Sequence, residues 1–198
     1  MINRFLITIL LFMNFLIPHA QQPYFENETI NKINEIKTHV NTVPLDYSQQ
    51  EFDYKLNTSL YKNLNGFWNF AWFATPEEFE KCDFSSTKFN KIQVPCSWQM
   101  AGYDSPIYTN IEYPFDANPP YIAGINGNPV GLYKKEIIIP ENWESKNVRL
   151  CFEGVSSAYE IYYNGRFVGY SEDSYIPSEF DLTPFLSSDK GLLEVKEW

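Results

Sequence analysis

The chain is short of the side chains that carry most active-site chemistry. Only two histidines and three cysteines occur in its 198 residues. Cys82, Cys96 and Cys151 are odd in number and far apart, without the short intervals of a metal knuckle, so neither a zinc site nor a disulfide framework follows. Small buried thiols are the plain expectation. His39 is the one histidine beyond residue 20, and no serine or cysteine stands in a nucleophile motif, which speaks against a Ser–His or Cys–His mechanism. Positive charge is scarce too. Fifteen Lys and Arg face 25 Asp and Glu, a formal charge of −10, which disfavours a nucleic-acid partner and an anionic membrane surface.

A bilayer-spanning run is also lacking. The apolar stretch Phe5–Ile17 holds 13 residues, against the roughly 20 that a spanning helix needs. With Arg4 before it and Pro18-His19-Ala20 after it, residues 1–20 read as a signal peptide, and the expected location is secreted or periplasmic. Its removal takes away one charged residue, Arg4, and moves the formal charge from −10 to −11.

What is present is aromatic: 14 Tyr, 16 Phe and 5 Trp, within an apolar fraction of 44%. This composition predicts a globular, strand-rich domain with a sizeable core. The clearest local signal is Tyr159–Tyr163, Asn164-Gly165, Arg166–Tyr170, a hairpin on a type I′ turn. It sets Tyr159, Ile161 and Tyr163 on one face, with Glu160 and Tyr162 on the other. Upstream, Tyr61–Phe73 alternates after a tight Asn65-Gly66 turn so that Trp68, Phe70 and Trp72 share a face, and Lys91–Pro95 is another strand. Glu77–Cys82 reads as a turn of helix. Residues 21–57 form an arm in which Ile30, Ile33, Ile36 and Val40 recur at helical spacing, predicting a short amphipathic helix over Asn27–Val40 with His39 solvated on its surface.

Val94–Pro120, VPCSWQMAGYDSPIYTNIEYPFDANPP, is punctuated by Pro95, Pro106, Pro114, Pro119 and Pro120 and reads as a long loop system. Trp98, Tyr103 and Tyr108 give it flat faces that suit sugar C–H groups, and their other reading is packing. Long loops of this kind in a compact domain are often functional.

These stretches resemble the N-terminal jelly-roll, "sugar-binding" region of family 2 glycoside hydrolases, and among them the β-galactosidases. The resemblance rests on L-N-G-x-W-x-F at Leu64–Phe70, V-P-x-x-W-Q-M-x-G-Y-D-x-P-I-Y-T-N-I-x-Y-P-F at Val94–Phe115, N-P-V-G-x-Y at Asn128–Tyr133, and the hairpin with its SEDS and SEFDLT segments. It covers about Leu60–Leu186. It implies an all-β jelly-roll (galactose-binding-like) sandwich of about eight strands over residues 58–198, after the helix-bearing arm. It also implies that Asn110 reaches into the active site of a neighbouring catalytic barrel and hydrogen-bonds galactose, with Ile111 as an apolar wall beside it.

The resemblance further places the two catalytic carboxyl groups, about 5 Å apart in a retaining glycosidase, on a barrel downstream of this region. No catalytic residue and no metal ligand is therefore expected here; magnesium and sodium, which intact relatives use, would be held mainly elsewhere. Glu153, Glu160, Glu172, Asp173, Glu179 and Asp181 carry no pairing signal and are expected to be solvated. Where relatives read Gly-x-Asn-x-Leu-Ala-Val-x-Val up to Arg-Trp, this chain reads Gly191-Leu-Leu-Glu-Val-Lys-Glu-Trp198, about four residues fewer. That implies a shortened last strand and an imperfectly closed sheet. The expected partners are a galactoside and a barrel of the same polypeptide, with a homo-oligomer as the expected assembly of the intact enzyme. A freestanding carbohydrate-binding module is the alternative.

Overall fold

A computed structural model describes residues 23–40, 42, 44, 59–106, 118–122 and 127–198. Among them the chain is all-β, as expected of the sandwich. Seven antiparallel strands form the main sheet: β1 (Lys32–Ile33), β2 (Gly66–Phe73), β3 (Asn90–Val94), β4 (Val130–Ile138), β6 (Ala158–Tyr163), β7 (Arg166–Glu172) and β9 (Lys190–Glu197). Their order is β1-β7-β6-β9-β4-β2-β3, and β5 (Arg149–Phe152) pairs with β8 (Ser178–Asp181) in a second, smaller sheet. One short helix, α1 (Pro76–Glu80), is started by Thr75, whose hydroxyl accepts the Glu78 N–H at 3.2 Å, with Pro76 just inside.

The β6–β7 hairpin forms as its sequence dictates. Asn164 and Gly165 take φ of 50° and 73°, the positive values a type I′ turn demands. A register shift between Ile161 and Tyr162 makes a bulge in this pair. The turn also receives β9: Asn164 N–H donates to Leu192 O at 2.9 Å, and Leu192 N–H donates to Asn164 Oδ1 at 2.8 Å.

The last strand departs from expectation. β9 runs for eight residues and pairs with β4 from Gly131↔Glu197 to Ile138↔Lys190, and with β6 from Tyr159↔Glu197 to Tyr163↔Leu193. It is the middle strand of the sheet. The shorter wording costs the sheet nothing, because Leu193 and Val195 keep the period of two that buries them, at 0% and 5% exposure.

Both faces of the main sheet are buried. Between the sheets lie Phe70, Ile92, Tyr133, Ile161, Tyr163, Leu193 and Val195, against Leu150, Phe180 and Leu182. Each fully buried side chain of this size contributes about 1.5–3 kcal/mol. On the opposite face Val130, Ala158, Tyr170 and Trp198 are covered by Tyr24, Phe25, Ile30, Phe73 and Phe79. Double burial explains why Ala158–Ile161 is buried at every position, including Glu160, whose carboxylate accepts the Tyr162 hydroxyl at 2.8 Å. Glu160 is thus not the solvated charge expected. Nor are the cysteines uniformly buried: Cys82 is half-buried, and Cys96 and Cys151 are exposed, because they stand on outward positions of a loop and an edge strand.

The arm is not the helix expected over Asn27–Val40. A single turn of 3-10 helix spans Tyr24–Glu26, and Lys32–Ile33 then adds as an edge strand to Ser171 and Tyr170 of β7. Farther on, Glu35 bridges to Phe180, and Ile36 N–H donates to Glu179 O at 2.8 Å. Open sheet edges with unpaired N–H and C=O groups outcompete a short isolated helix, which is marginal in water. The arm therefore straps the edge of one sheet to the edge of the other.

Candidate functional site

The long loop leaves β3 through a cis Val94–Pro95 bond and makes one 3-10 turn at Trp98–Ala101. Gly102, at φ of 90°, closes that turn by donating to Gln99 O at 3.2 Å, and Tyr103 N–H donates to Trp98 O at 3.0 Å. These bonds aim Trp98 inward. Its ring is 6% exposed and stacks on Phe70 with centroids 6.2 Å apart, while Tyr103 meets the same ring edge-on at 4.9 Å. Trp98 thus packs in the core with no open face, and Tyr103 lies half-buried beside it. Met100 stands at the outside of the turn, 80% exposed. Tyr108, Asn110 and Ile111 lie outside the described residues.

Gly131 makes room for the loop base. An added Cβ there would sit 2.5 Å and 2.7 Å from Trp98 Cζ3 and Cε3. In register across the sheet run Trp72, Gly131, Glu197 and Tyr159, and Tyr133, two residues along β4, hydrogen-bonds the Glu197 carboxylate. Burial pushes the Glu197 carboxyl up to about 8, with the Tyr133 hydroxyl pulling it back down. The phenol of Tyr133 is itself raised by burial and by that carboxylate. Tyr159 hydrogen-bonds Ser178 across the core. The indole N–H groups of Trp72 and Trp98 are buried and find no acceptor among the described residues.

Chemically this is a rigid aromatic footing with one carboxyl group held easily protonated, not a pair of carboxyls flanking a bond. Nothing in the sequence pattern marked Glu197; its burial comes from the central place of β9. Elsewhere Glu172 accepts the Tyr170 hydroxyl at 2.6 Å, and Glu179 contacts Arg149 and His39 at 3.3 Å and 3.1 Å. His39, expected free on a helix, is instead partnered. Among the described residues no three His, Cys, Asp or Glu side chains gather so as to hold a metal ion.

Residues 61–198 match the family described as glycosyl hydrolases family 2, sugar binding domain. A β-galactosidase from Yersinia pestis bv. Antiqua (strain Angola) is 43% identical over 139 residues, covering 68% of this chain and 13% of that protein. The β-galactosidase of Yersinia pestis (strain Pestoides F) gives the same figures. Among solved structures, a β-glucuronidase from an uncultured Clostridium sp. covers 69% of this chain and 21% of its own, at 22% identity and a TM-score of 0.49. The chain spans 13% of the length of the curated relatives it matches.

Proposed function

Because the chain belongs to the sugar-binding domain family of family 2 glycosyl hydrolases, we propose that it serves as the sugar-binding region of a secreted β-galactosidase-type glycosidase. The carrying observation is the 43% identity to a β-galactosidase over 139 residues, a span that includes the Y-T-N-I wording at Tyr108–Ile111. In this reading the loop rooted on Trp98 presents Asn110 to the galactose of a substrate bound in a catalytic barrel elsewhere in the polypeptide. Ile111 walls the pocket beside it. The buried base gives the loop a fixed footing, since Trp98 cannot swing without uncovering Phe70. Cleavage of terminal β-galactosides by double displacement is the work of two carboxyl groups carried by that barrel. The isolated chain then turns over no substrate.

The test is a chimera in which this region replaces its counterpart in the Yersinia pestis β-galactosidase, assayed with a chromogenic β-galactoside beside the isolated chain. The expected result is turnover by the chimera, none by the isolated chain, and a loss of about tenfold or more on Asn110→Ala from one hydrogen bond to substrate. A folded chimera indifferent to Asn110→Ala would refute the role of Asn110. Galactose binding by the isolated chain, lost on Asn110→Ala, would instead favour a freestanding module.

A further inference from the structure

We propose that residues 34–40 form a pH-gated clasp, in which His39 ties the arm to the smaller sheet when doubly protonated and releases it when neutral. The geometry carries this. His39 Nδ1 lies 2.8 Å from Val40 O, and Nε2 lies 3.1 Å from a carboxylate oxygen of Glu179 on β8. Both neighbours are acceptors, so both ring nitrogens must donate for the two bonds to coexist, and only the imidazolium does that. Neutral His39 with its proton on Nδ1 turns a lone pair toward the carboxylate.

The charged surroundings fit a switch rather than a permanent lock. Arg149 of β5 places Nη1 3.3 Å from the same Glu179 oxygen and 3.4 Å from His39 Nε2, a longer bond that only the neutral ring can accept. It competes for the carboxylate and opposes the second proton, while Glu179 favours it. Lys37 lines the same shallow cleft, with Ile36, Thr38, Pro177 and Glu179. The balance falls on the side of protonation: the Val40 carbonyl and Glu179 together hold the His39 ring above its ordinary 6.5, against Arg149. Stability from a group raised on folding is complete below the ordinary value and is lost as pH climbs through the raised one. The clasp is closed in acid and opens on the alkaline side of 6.5.

The rest of the strap is held by bonds of its own. Asn34 Nδ2 donates to Val168 O at 2.9 Å, and Ser171 donates to Glu35 at 2.7 Å, so opening is confined to the stretch beyond Glu35. Its reporter is the Ile36 N–H, which donates to Glu179 O.

The experiment is amide hydrogen exchange on the full chain at pH values well below and well above 6.5, corrected for the intrinsic rate, with an NMR titration of the His39 ring. The expected protection at Ile36 falls by about threefold or more on the alkaline side, the order for one exposed ion pair. Glu179→Gln lowers the ring midpoint and removes the pH dependence, and so does His39→Gln for the exchange. Ile161, in the core, serves as the internal control for global opening. Protection at Ile36 that follows Ile161 at both pH values, or a His39 midpoint at or below 6.5, would overturn the proposal. His39 is exposed, and Glu179→Gln keeps the size of a half-buried side chain, so neither variant threatens the fold.

Discussion

Gly131→Ala tests the packing that roots the long loop. The backbone of Gly131 needs no positive φ, so alanine is conformationally acceptable and even gains about 0.4–1 kcal/mol through a less entropic unfolded chain. The space is the obstacle. The new Cβ would lie 2.5 Å, 2.7 Å and 2.9 Å from Trp98 Cζ3, Trp98 Cε3 and Phe70 Cε2, about 1 Å inside normal carbon–carbon contact. Both rings are held: Trp98 by the turn bonds at Gly102 and Tyr103, and Phe70 at 0% exposure between Trp98, Tyr103 and Tyr133. Overpacking of such a site costs about 1–3 kcal/mol, so after the entropic gain a net loss of about 1 kcal/mol is expected, or about 2–4 °C in Tm for a chain of this size. Trp98→Phe removes the colliding part of the indole together with an N–H that has no acceptor among the described residues. The double variant should therefore recover at least about 1 kcal/mol relative to the sum of the singles. Urea unfolding followed by far-ultraviolet circular dichroism, with the denaturant slope checked for constancy, measures all four proteins. Additivity within about 0.5 kcal/mol would mean that the Trp98 ring does not lie over Gly131, and the account of the loop base would be wrong.

Three further outcomes are expected. Glu197 is raised on folding from 4.5 to about 8, so it holds its proton longer in the folded chain and stability falls as pH rises between those values. The slope should stay below about 1.4 kcal/mol per pH unit, since the residue is only half-buried; Glu197→Gln should flatten the urea midpoint over that window, and an unchanged slope would refute the burial argument. Asn164→Gly keeps the turn and loses only the acceptor for Leu192 N–H, about 0.5–1.5 kcal/mol. Asn164→Ala adds roughly 1–2 kcal/mol of left-handed strain, so thermal melts should rank wild type, Gly, Ala; the reverse order of the variants would refute the turn assignment. The isolated chain exposes Phe67, Met100 and Tyr175 at 66%, 80% and 79%, surface that the proposed enzyme would cover. Sedimentation velocity should show concentration-dependent self-association, and a monomer at every concentration would count against that cover.

Local chemistry made the hairpin, β2, β3 and α1 legible. Asn164-Gly165 dictates its turn, Trp68 and Phe70 bury on one face, and Thr75-Pro76 start a helix that ends a few residues later. What sequence spacing could not see was competition between elements. Ile30, Ile33 and Ile36 fit a helix, yet the open edges of β7 and β8 offered hydrogen bonds that a short helix could not match. Alternation identified Leu193 and Val195 as inward, but not that β9 would take the centre of the sheet, and the burial of Glu160 and Glu197 follows from that placement. At the candidate site the irregular stretch at residues 95–106 was evident from its prolines and rings. Which way Trp98 turned was decided by Gly131, a small residue whose importance lies in what it leaves empty.

The position of β9 has a consequence for how the protein is made. Its two neighbours, β4 and β6, are synthesised first, and β4 ends at Ile138 whereas β9 begins at Lys190. At about 5–20 residues per second on the ribosome, β4 waits some 3–10 seconds for its partner. Late in that interval, once β7 (Arg166–Glu172) has followed β6, the nascent chain holds two half-sheets with facing, unsatisfied edges, so the domain cannot be completed from its N-terminus onward. A cell making this protein must keep those edges from finding one another on neighbouring chains until the middle strand emerges.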